Sequence, residues 1–161
     1  MNGNHGRTAI AAACIGMLLA ALVLWADELH AADIERTYKG DFPIAQAVVV
    51  PPGATTYYLS GMTPPKPEGD TKAQTLAALG VIKDALAVQK LTMGDVVMMH
   101  VYLVGDPAKD GKMDFAGMMD AYKQFFGTAE QPNKPARTTV QVAALASPGT
   151  LVEIEVIAAH K

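Results

Sequence analysis

The amino-acid sequence predicts an α+β fold in which two helices cover one face of a single mixed β-sheet. Two observations predict it. Strand-length runs of apolar and β-branched residues alternate with two segments of helical periodicity, in the order β-β-α-β-α-β-β. Two helices of this length can cover only one face of such a sheet. Because the other face would leave an apolar area in water, we expect it to form an oligomer interface.

The composition narrows the classes of function. The chain has 161 residues, of which 50% are hydrophobic and 18% are charged, as in one globular domain of ordinary size. Its formal net charge of -3 provides no general field for phosphate backbones or anionic membranes. We therefore expect no nucleic-acid partner.

The N-terminal segment differs from the rest of the chain. His5 and Arg7 precede an uncharged apolar run over residues 9–25, and the small residues Ala31 and Ala32 follow. This order is typical of a secretory signal peptide, so we expect cleavage near Ala31 or Ala32. The run also approaches the length that spans a bilayer, and an uncleaved membrane anchor is the alternative.

The expected domain organisation is a signal peptide over residues 1–31 and one domain over residues 32–161. The domain would be periplasmic or secreted, and it would contact the membrane only if the signal segment is uncleaved. Cys14, the one cysteine, lies in the signal segment. The mature domain would therefore contain no disulfide, catalytic thiol or cysteine metal site, which suits an oxidising compartment.

The first two strands are predicted on either side of a turn. Residues 45–50 form a short apolar run, and residues 56–60 are rich in β-branched and aromatic side chains. The turn residues between the two runs are Pro51, Pro52 and Gly53. We expect the two strands to pair with each other through that turn.

Two helices are predicted from the spacing of their apolar residues. The first begins at Thr71 to Gln74, which has the spacing of a capping box, and ends before Gly94. The second ends at Gly127, where a C-terminal stop belongs. The residues that define the apolar faces are Leu76, Leu79, Ile82 and Leu86 in the first helix and Phe115, Met118, Met119, Tyr122, Phe125 and Phe126 in the second.

An almost continuous apolar run within residues 95–104 predicts a central strand that is buried on both faces. His100 lies inside this run. No second His, Cys or Asp stands beside it at metal-ligand spacing. We therefore interpret His100 as a core or interface histidine, and we expect no metal site.

Two further strands, residues 137–144 and residues 151–157, close the chain. Side chains alternate between the two faces of a strand, so the last strand can be divided. The side under the helices takes Val152, Ile154 and Val156, and the open side takes Leu151, Glu153, Glu155 and Ile157. We interpret Glu155 as an interface or surface carboxylate.

Four segments, in the same order along the chain, resemble the RidA/YjgF family. The most specific is PARTTVQVAALASPGTLVEIE, from Pro135 to Glu155, in which a Pro-Ala-Arg segment opens one strand and an acidic strand follows. The others are Tyr58-Leu59-Ser60-Gly61, Met93-Gly94-Asp95-Val96-Val97 and Met119-Asp120-Ala121-Tyr122-Lys123-Gln124-Phe125-Phe126. The resemblance extends over residues 42–158, which is nearly all of the expected mature domain.

The resemblance implies a chorismate-mutase-like fold that assembles as a homotrimer, with a cleft at each subunit interface. In the best understood branch of the family, these clefts hydrolyse reactive imines and enamines derived from amino acids to a 2-oxo acid and ammonia. The implied activity is that of a 2-iminobutanoate/2-iminopropanoate-type deaminase. It needs no cofactor, and its ligand is a small molecule that carries a carboxylate.

The resemblance also implies roles for individual residues. Arg137 matches the arginine that holds the substrate carboxylate, a task suited to a planar, permanently charged guanidinium. Glu153, expected on the partner strand, matches the carboxylate that orients or activates the attacking water. Ser60 and Gly61 match a Ser-Gly pair at the cleft wall, where a hydroxyl and a close backbone contact the ligand.

Three departures from the family pattern concern the substrate more than the fold. Thr139 stands where relatives often carry a cysteine whose backbone helps to hold the water, and a backbone contribution survives this change. Ile44 stands where an aromatic residue, commonly tyrosine, follows the proline. A phenolic contact to the substrate is therefore absent unless Tyr57 or Tyr58 supplies it. The loop over residues 146–150 is one residue longer than the closest pattern.

Two other functions remain open on the sequence. The first is a non-catalytic module on the same trimeric fold that binds a small ligand or another protein. Ile44 and the exported location favour it, since the usual source of imines is cytoplasmic enzyme chemistry. The second is a ribonuclease, a label that family members have often carried. The acidic charge balance, with no stripe of basic and aromatic residues, argues against it.

Overall fold

Six strands form one mixed β-sheet in the part of the chain that the structure, a computed structural model, describes, residues 33–161. The strands are β1 (Glu35–Tyr38), β2 (Ala45–Val49), β3 (Thr55–Met62), β4 (Val96–Val104), β5 (Ala136–Val142) and β6 (Val152–His160). The helices are α1 (Thr71–Val88) and α2 (Phe115–Tyr122). Neither is long and apolar enough to cross a membrane. The signal peptide predicted over residues 1–31 lies outside the described residues.

The strand order in the sheet is β1-β2-β5-β4-β6-β3. β5 runs parallel to its neighbours β2 and β4, and the other neighbouring pairs are antiparallel. Apolar residues of α1 and α2 form one buried cluster with β4 and β6, so both helices cover the same face. The predicted α+β fold with two helices on one face of a mixed sheet is therefore confirmed.

Two predictions about the early strands are wrong. β1 was not predicted, because a segment of four residues with two charges, Glu35–Tyr38, carries no apolar strand pattern. β2 and β3 do not pair with each other. β2 lies between β1 and β5, whereas β3 pairs with β6 at the far edge of the sheet. The turn after β2 thus leads the chain away to the opposite edge.

The N-terminus of α1 is capped by Asp70, whose side chain accepts a 2.8 Å hydrogen bond from the Ala73 backbone N–H. The predicted capping box at Thr71 to Gln74 is therefore wrong. Gln74 is buried instead, and its amide accepts from Leu151 N at 2.8 Å and donates to Gly149 O at 3.0 Å. Of the four residues predicted for the apolar face of α1, Leu79, Ile82 and Leu86 are fully buried in the core. The fourth, Leu76, is only half-buried and lies outside the core cluster.

The second helix is shorter than predicted. It ends at Tyr122, and the chain continues as a hydrogen-bonded turn in which Phe125 N and Phe126 N donate to Tyr122 O. Gly127 has a φ of 72°, the left-handed conformation that glycine adopts without strain. The glycine therefore does end the segment, but after a turn and not directly after the helix.

β4 lies in the middle of the sheet, but only one of its faces is buried in the single chain. Met99, Val101 and Leu103 are buried under the helices, while His100 and Tyr102 on the other face stay partly exposed. The prediction that both faces are buried is wrong for the described single chain, because no element of residues 33–161 covers the second face. The division of β6 is confirmed, since Val152, Ile154 and Val156 are all buried beneath the helices.

Candidate active site

Arg137 lies on the helix-covered face of β5. It pairs with Met99 of β4, a fully buried core residue, and so its side chain points toward the helices. The guanidinium carbon lies 4.4 Å from the centre of the Tyr122 ring and 5.8 Å from that of the Phe115 ring. Partial burial lowers the pKa of Arg137, but a guanidinium stays charged at physiological pH. Two aromatic rings of α2 thus hold a cation in place.

The guanidinium has unused hydrogen-bonding capacity. Its buried Nη1 atom has no hydrogen-bond partner, and no ion pair joins it to a carboxylate within residues 33–161. Thr139, two residues along the strand and on the same face, carries a buried Oγ1 that is also unpartnered. Buried polar groups are nearly always hydrogen-bonded in folded proteins. Two unpartnered groups on one strand therefore indicate a binding site for a polar group.

Tyr122, which packs against the Arg137 guanidinium, is held in place by two contacts of its own. Its hydroxyl donates a 2.8 Å hydrogen bond to the carbonyl of Pro43, and its ring stacks on Phe126 with centroids 4.8 Å apart. Burial raises the pKa of Tyr122, so the hydroxyl keeps its proton and remains a donor. The helical spacing predicted Tyr122 only as a core residue. Phe115 lies two turns earlier on the same helix. This spacing was the one sequence signal that Phe115 and Tyr122 share a helix face.

Ile44 reaches the same region through the backbone. It directly precedes β2 and packs, half-buried, against the core. The next residue, Ala45, donates a 2.9 Å hydrogen bond to Pro135 O and pairs with Ala136. This pairing brings Ile44 to the start of β5, where Arg137 stands. We call Arg137, Thr139 and Ile44 the arginine half-site.

Glu153 lies on the open face of β6, opposite Tyr102 of β4. Its carboxylate lies directly against Gly61 of β3, so that a Cβ atom at Gly61 would overlap with Glu153 Oε1. Ser60 and Gly61 interrupt the regular pairing of β3 with β6. A small cavity of about 270 Å³ adjoins Ser60. We call Glu153, Ser60 and Gly61 the glutamate half-site.

The two half-sites face opposite directions in one chain. Arg137 points toward the helices and Glu153 toward the open face, and β4 lies between their strands. The expectation that β5 and β6 are partner strands is wrong, because each pairs with β4. A single chain therefore does not bring Arg137 and Glu153 together, and a site that uses both needs a second copy.

A separate polar cluster lies on the open face. Glu155 Oε1 is 2.8 Å from His100 Nδ1 and accepts a 3.2 Å hydrogen bond from the Tyr102 hydroxyl. The contact with His100 is a close approach without hydrogen-bond alignment, since Nδ1 has no hydrogen-bond partner in the described part of the chain. Desolvation and the bond to Glu155 raise the pKa of Tyr102. Glu155, interpreted from the sequence as an interface or surface carboxylate, thus has partners in its own chain.

The described residues hold no obvious metal centre. Within residues 33–161, there is no group of three or more His, Cys, Asp or Glu side chains that could hold a metal ion. The arginine half-site offers the Arg137 guanidinium, with its unpartnered Nη1, and the unpartnered Thr139 hydroxyl. The glutamate half-site offers the Glu153 carboxylate, which lies against Gly61. These groups can bind an anion and hold or deprotonate a water.

Comparison with known proteins adds a family to this geometry. The family model Endoribonuclease L-PSP matches residues 44–160, which include both half-sites. A RutC family protein of Pyrococcus abyssi is 35% identical over 130 residues, which cover 77% of this chain and 91% of the relative.

Solved structures agree with the sequence matches. A member of the YjgF/YER057c/UK114 family from Mycobacterium tuberculosis is 29% identical with a TM-score of 0.52, and the match covers 78% of this chain and 98% of that chain. The E. coli protein TdcF, solved with bound serine, is 30% identical with a TM-score of 0.56, covering 81% of this chain and 99% of that chain. Because the family model covers most of the chain and a relative is 35% identical over 77% of it, this chain belongs to the RidA/YjgF family.

Proposed function

We propose that the protein is an exported deaminase that hydrolyses 2-imino acids to 2-oxo acids and ammonia, in clefts between the subunits of a homotrimer. One observation carries the proposal. Arg137 and Thr139 present unpartnered, buried hydrogen-bonding atoms on one face of β5. A guanidinium in this state suits a carboxylate, which accepts two parallel hydrogen bonds from it. Membership of the RidA/YjgF family supports the same ligand class.

The proposed reaction adds water to the C=N bond and then releases ammonia. The water oxygen bonds to the imine carbon while the π electrons move to nitrogen, which takes a proton. The hydroxyl proton then passes to the amine nitrogen, the C–N bond breaks, and a C=O bond forms as ammonia leaves. One water is consumed and one ammonia is released, with no oxidation or reduction. Arg137 would hold the carboxylate, and Glu153 would orient the water and accept its proton.

The opposite orientation of the two half-sites determines where this reaction would occur. Since Arg137 and Glu153 point to different faces of one sheet, the cleft would combine the arginine half-site of one subunit with the glutamate half-site of its neighbour. The open sheet face, which no element within residues 33–161 covers, offers a surface for the assembly. The serine bound to TdcF, an amino acid, is in keeping with a small carboxylate as ligand.

A complementation experiment tests the proposal. Arg137→Ala and Glu153→Gln are each expected to lower the rate of ammonia release from freshly generated 2-iminopropanoate by at least about 100-fold. Co-assembled from two differently tagged chains, the variants would restore some intact clefts, each with Arg137 from one subunit and Glu153 from the other. Random assortment in trimers predicts about one quarter of the wild-type rate.

The matched control pairs Arg137→Ala with a chain that carries both substitutions, because no arrangement of these chains contains an intact cleft. This mixture is expected to stay inactive. If the first mixture is equally inactive, the site does not combine the two residues across subunits. If Arg137→Ala keeps the wild-type rate, or the wild-type protein accelerates the hydrolysis of neither 2-iminopropanoate nor a 2-imino acid with a larger side chain, the deaminase proposal is overturned.

A second candidate is a non-catalytic module that binds a small carboxylate at the arginine half-site. The position of Ile44 favours it. In the single chain neither Tyr57 nor Tyr58 can supply the phenol that Ile44 lacks, because β3 and β2 lie toward opposite edges of the sheet. This function predicts ligand binding that depends on Arg137, without turnover. A ribonuclease is less favoured, since the net charge of -3 offers little attraction for RNA.

A further inference from the structure

A cavity of about 730 Å³ lies beside α2, on the helix-covered side of the sheet. Its walls are mainly apolar and are formed by Phe42, Pro43, Phe115, Ala116, Met119 and Phe126. Phe42 and Phe115 expose 49% and 36% of their surface, unusually much for large apolar side chains. Exposed aromatic side chains around a concave surface are typical of a ligand site.

This cavity is joined to the arginine half-site by two shared contacts. The Phe115 ring forms part of the cavity wall and also lies 5.8 Å from the guanidinium carbon of Arg137. Pro43, which also lines the cavity, accepts the hydrogen bond of Tyr122, whose ring lies 4.4 Å from the same carbon. The cavity and the guanidinium thus share the Phe115 ring, and Pro43 and Tyr122 join them a second time.

We propose that this cavity takes the side chain of the substrate, and that the protein acts on 2-imino acids with large apolar side chains, such as those derived from phenylalanine or leucine. The inference rests on the proposed function, which places the substrate carboxylate at Arg137. A ligand held there by its carboxylate would have its side chain beside Phe115.

Size and charge both agree with a bulky apolar side chain. The methyl group of 2-iminopropanoate would fill very little of a cavity of about 730 Å³, and binding an apolar group needs contact on most sides. The charged residues at the cavity are Asp41, Asp120 and Lys123. Asp120 also lies 3.7 Å from Lys72, which is not part of the cavity wall. With Lys72 included, two carboxylates face two ammonium groups, so no net charge favours a charged side chain.

The test compares two imines that differ only in side chain, 2-imino-3-phenylpropanoate and 2-iminopropanoate, each generated from its amino acid by an amino-acid oxidase. The wild-type protein is expected to show a kcat/KM for the phenyl substrate at least about tenfold above that for the methyl substrate. A ratio of one or below would overturn the inference and leave the deaminase proposal intact.

A cavity-filling variant makes the test specific to this site. Ala116→Phe adds a ring to the cavity wall and is expected to lower the phenyl-to-methyl ratio of kcat/KM about tenfold. The matched control is Ala87→Phe, the same substitution at an exposed position of α1 outside the cavity, which is expected to keep the wild-type ratio. Equal ratios in the two variants would overturn the inference.

A binding measurement separates failure of the inference from failure of the proposed function. If the protein accelerates neither imine, the deaminase proposal fails, and titration calorimetry with phenylpyruvate and pyruvate then decides the cavity's role. Phenylpyruvate binding that is at least about tenfold tighter than pyruvate binding, and that Ala116→Phe removes, would support the cavity as a side-chain site. Equal affinities, or no binding of phenylpyruvate, would overturn it.

Discussion

At Gly61 the absence of a side chain decides where a carboxylate can lie. The Glu153 carboxylate occupies the space that a Cβ atom at Gly61 would need, and the Gly61 backbone is not in the left-handed region. Alanine is therefore compatible with the backbone but not with the present position of Glu153. We expect Gly61→Ala to displace the carboxylate and lower turnover at least about tenfold, with little change in stability.

The matched control for this variant is Gly80→Ala in α1. Apart from its chain neighbours and the backbone of its own helix, no atom of the described residues lies within 4 Å of a Cβ atom added at Gly80. Alanine there should stabilise the helix by about 0.5–1 kcal/mol and leave turnover unchanged. Steady-state kinetics and urea unfolding measure both quantities. Wild-type turnover in Gly61→Ala would show that Glu153 does not need its place against the glycine.

Asp95 provides a pH-dependent contribution to stability. Partial burial acts to raise its pKa, but hydrogen bonds with His160 and Thr92 outweigh burial, and the pKa lies below the ordinary value of 3.8. A carboxyl group with a lowered pKa in the folded state stabilises the fold above its unfolded pKa, and this contribution is lost as the pH falls through the folded value.

We therefore expect Asp95→Asn to lower the free energy of unfolding by about 1 kcal/mol near neutral pH, since it weakens the cap at Thr92. The difference from the wild type should shrink as the pH falls below 3.8. Urea unfolding across this range measures it, with the exposed Asp84→Asn on α1 as control. A difference that stays constant down to low pH would contradict the linkage.

The sequence identified residues of the candidate site, but it did not show that their side chains lie on opposite faces of the sheet. Arg137, Thr139 and Glu153 could be named from a motif, and alternation placed Glu153 on the open side of its own strand. Alternation within one strand, however, does not relate its faces to those of another strand. That relation depends on register across β4, which is set by tertiary packing and has no local signal.

Among the secondary-structure elements, α1 is attached to the end of the sheet by one side chain. The Gln74 amide accepts from Leu151 N at 2.8 Å and donates to Gly149 O at 3.0 Å, and the side chain is almost fully buried. It thereby fixes the loop before β6. Gln74→Ala would leave the half-buried Leu151 N–H without this partner and is expected to lower the free energy of unfolding by about 1–3 kcal/mol.

Urea unfolding of Gln74→Ala beside Gln89→Ala measures this effect. Gln89 follows α1, is exposed and forms no side-chain hydrogen bond within the described residues, so its replacement should cost much less. Equal stability of the two variants would show that the loop before β6 does not depend on Gln74.

Secondary-structure elements with an apolar pattern of their own were predictable from the sequence. Strand pairings, which depend on distant parts of the chain, were not. The helices follow from periodicity, which depends on the chain alone. The turn residues after β2 predict that β2 pairs with β3. A turn leads to such a pair only if no other strand forms hydrogen bonds with the same strand edges. Here β1 and β5 occupy both edges of β2. The local sequence predicts Gln74 as part of a helix cap. Its actual partner is the loop before β6, which is distant in the sequence and leaves no local signal.

At the scale of the whole molecule, the open sheet face connects assembly with activity. Its side chains include Met98, His100, Tyr102 and Val104 of β4, Thr138 and Val140 of β5, and Glu153, Glu155 and Ile157 of β6. In the single chain these residues are only partly buried or exposed. We expect this face to be covered by other subunits, as the sequence predicts, because a mixed apolar and charged surface of this kind favours association.

Val140→Lys tests this expectation. Val140 is 40% exposed on the open face, so lysine should be tolerated by the isolated fold, whereas covering its charge in an interface costs several kcal/mol. We expect the variant to be monomeric by size-exclusion chromatography with light scattering, while the wild type is trimeric. Its turnover should be lost as well, because the two half-sites of one chain face apart.

Val88→Lys is the matched control. Val88 is 79% exposed at the last residue of α1, where a cation interacts favourably with the helix C-terminus. This variant should remain trimeric and active. A Val140→Lys protein that is trimeric and fully active would exclude the open face from the interface. A monomeric Val140→Lys protein with full turnover would show instead that one chain holds a complete site. It would contradict the hypothesis that the active site lies in a cleft between subunits.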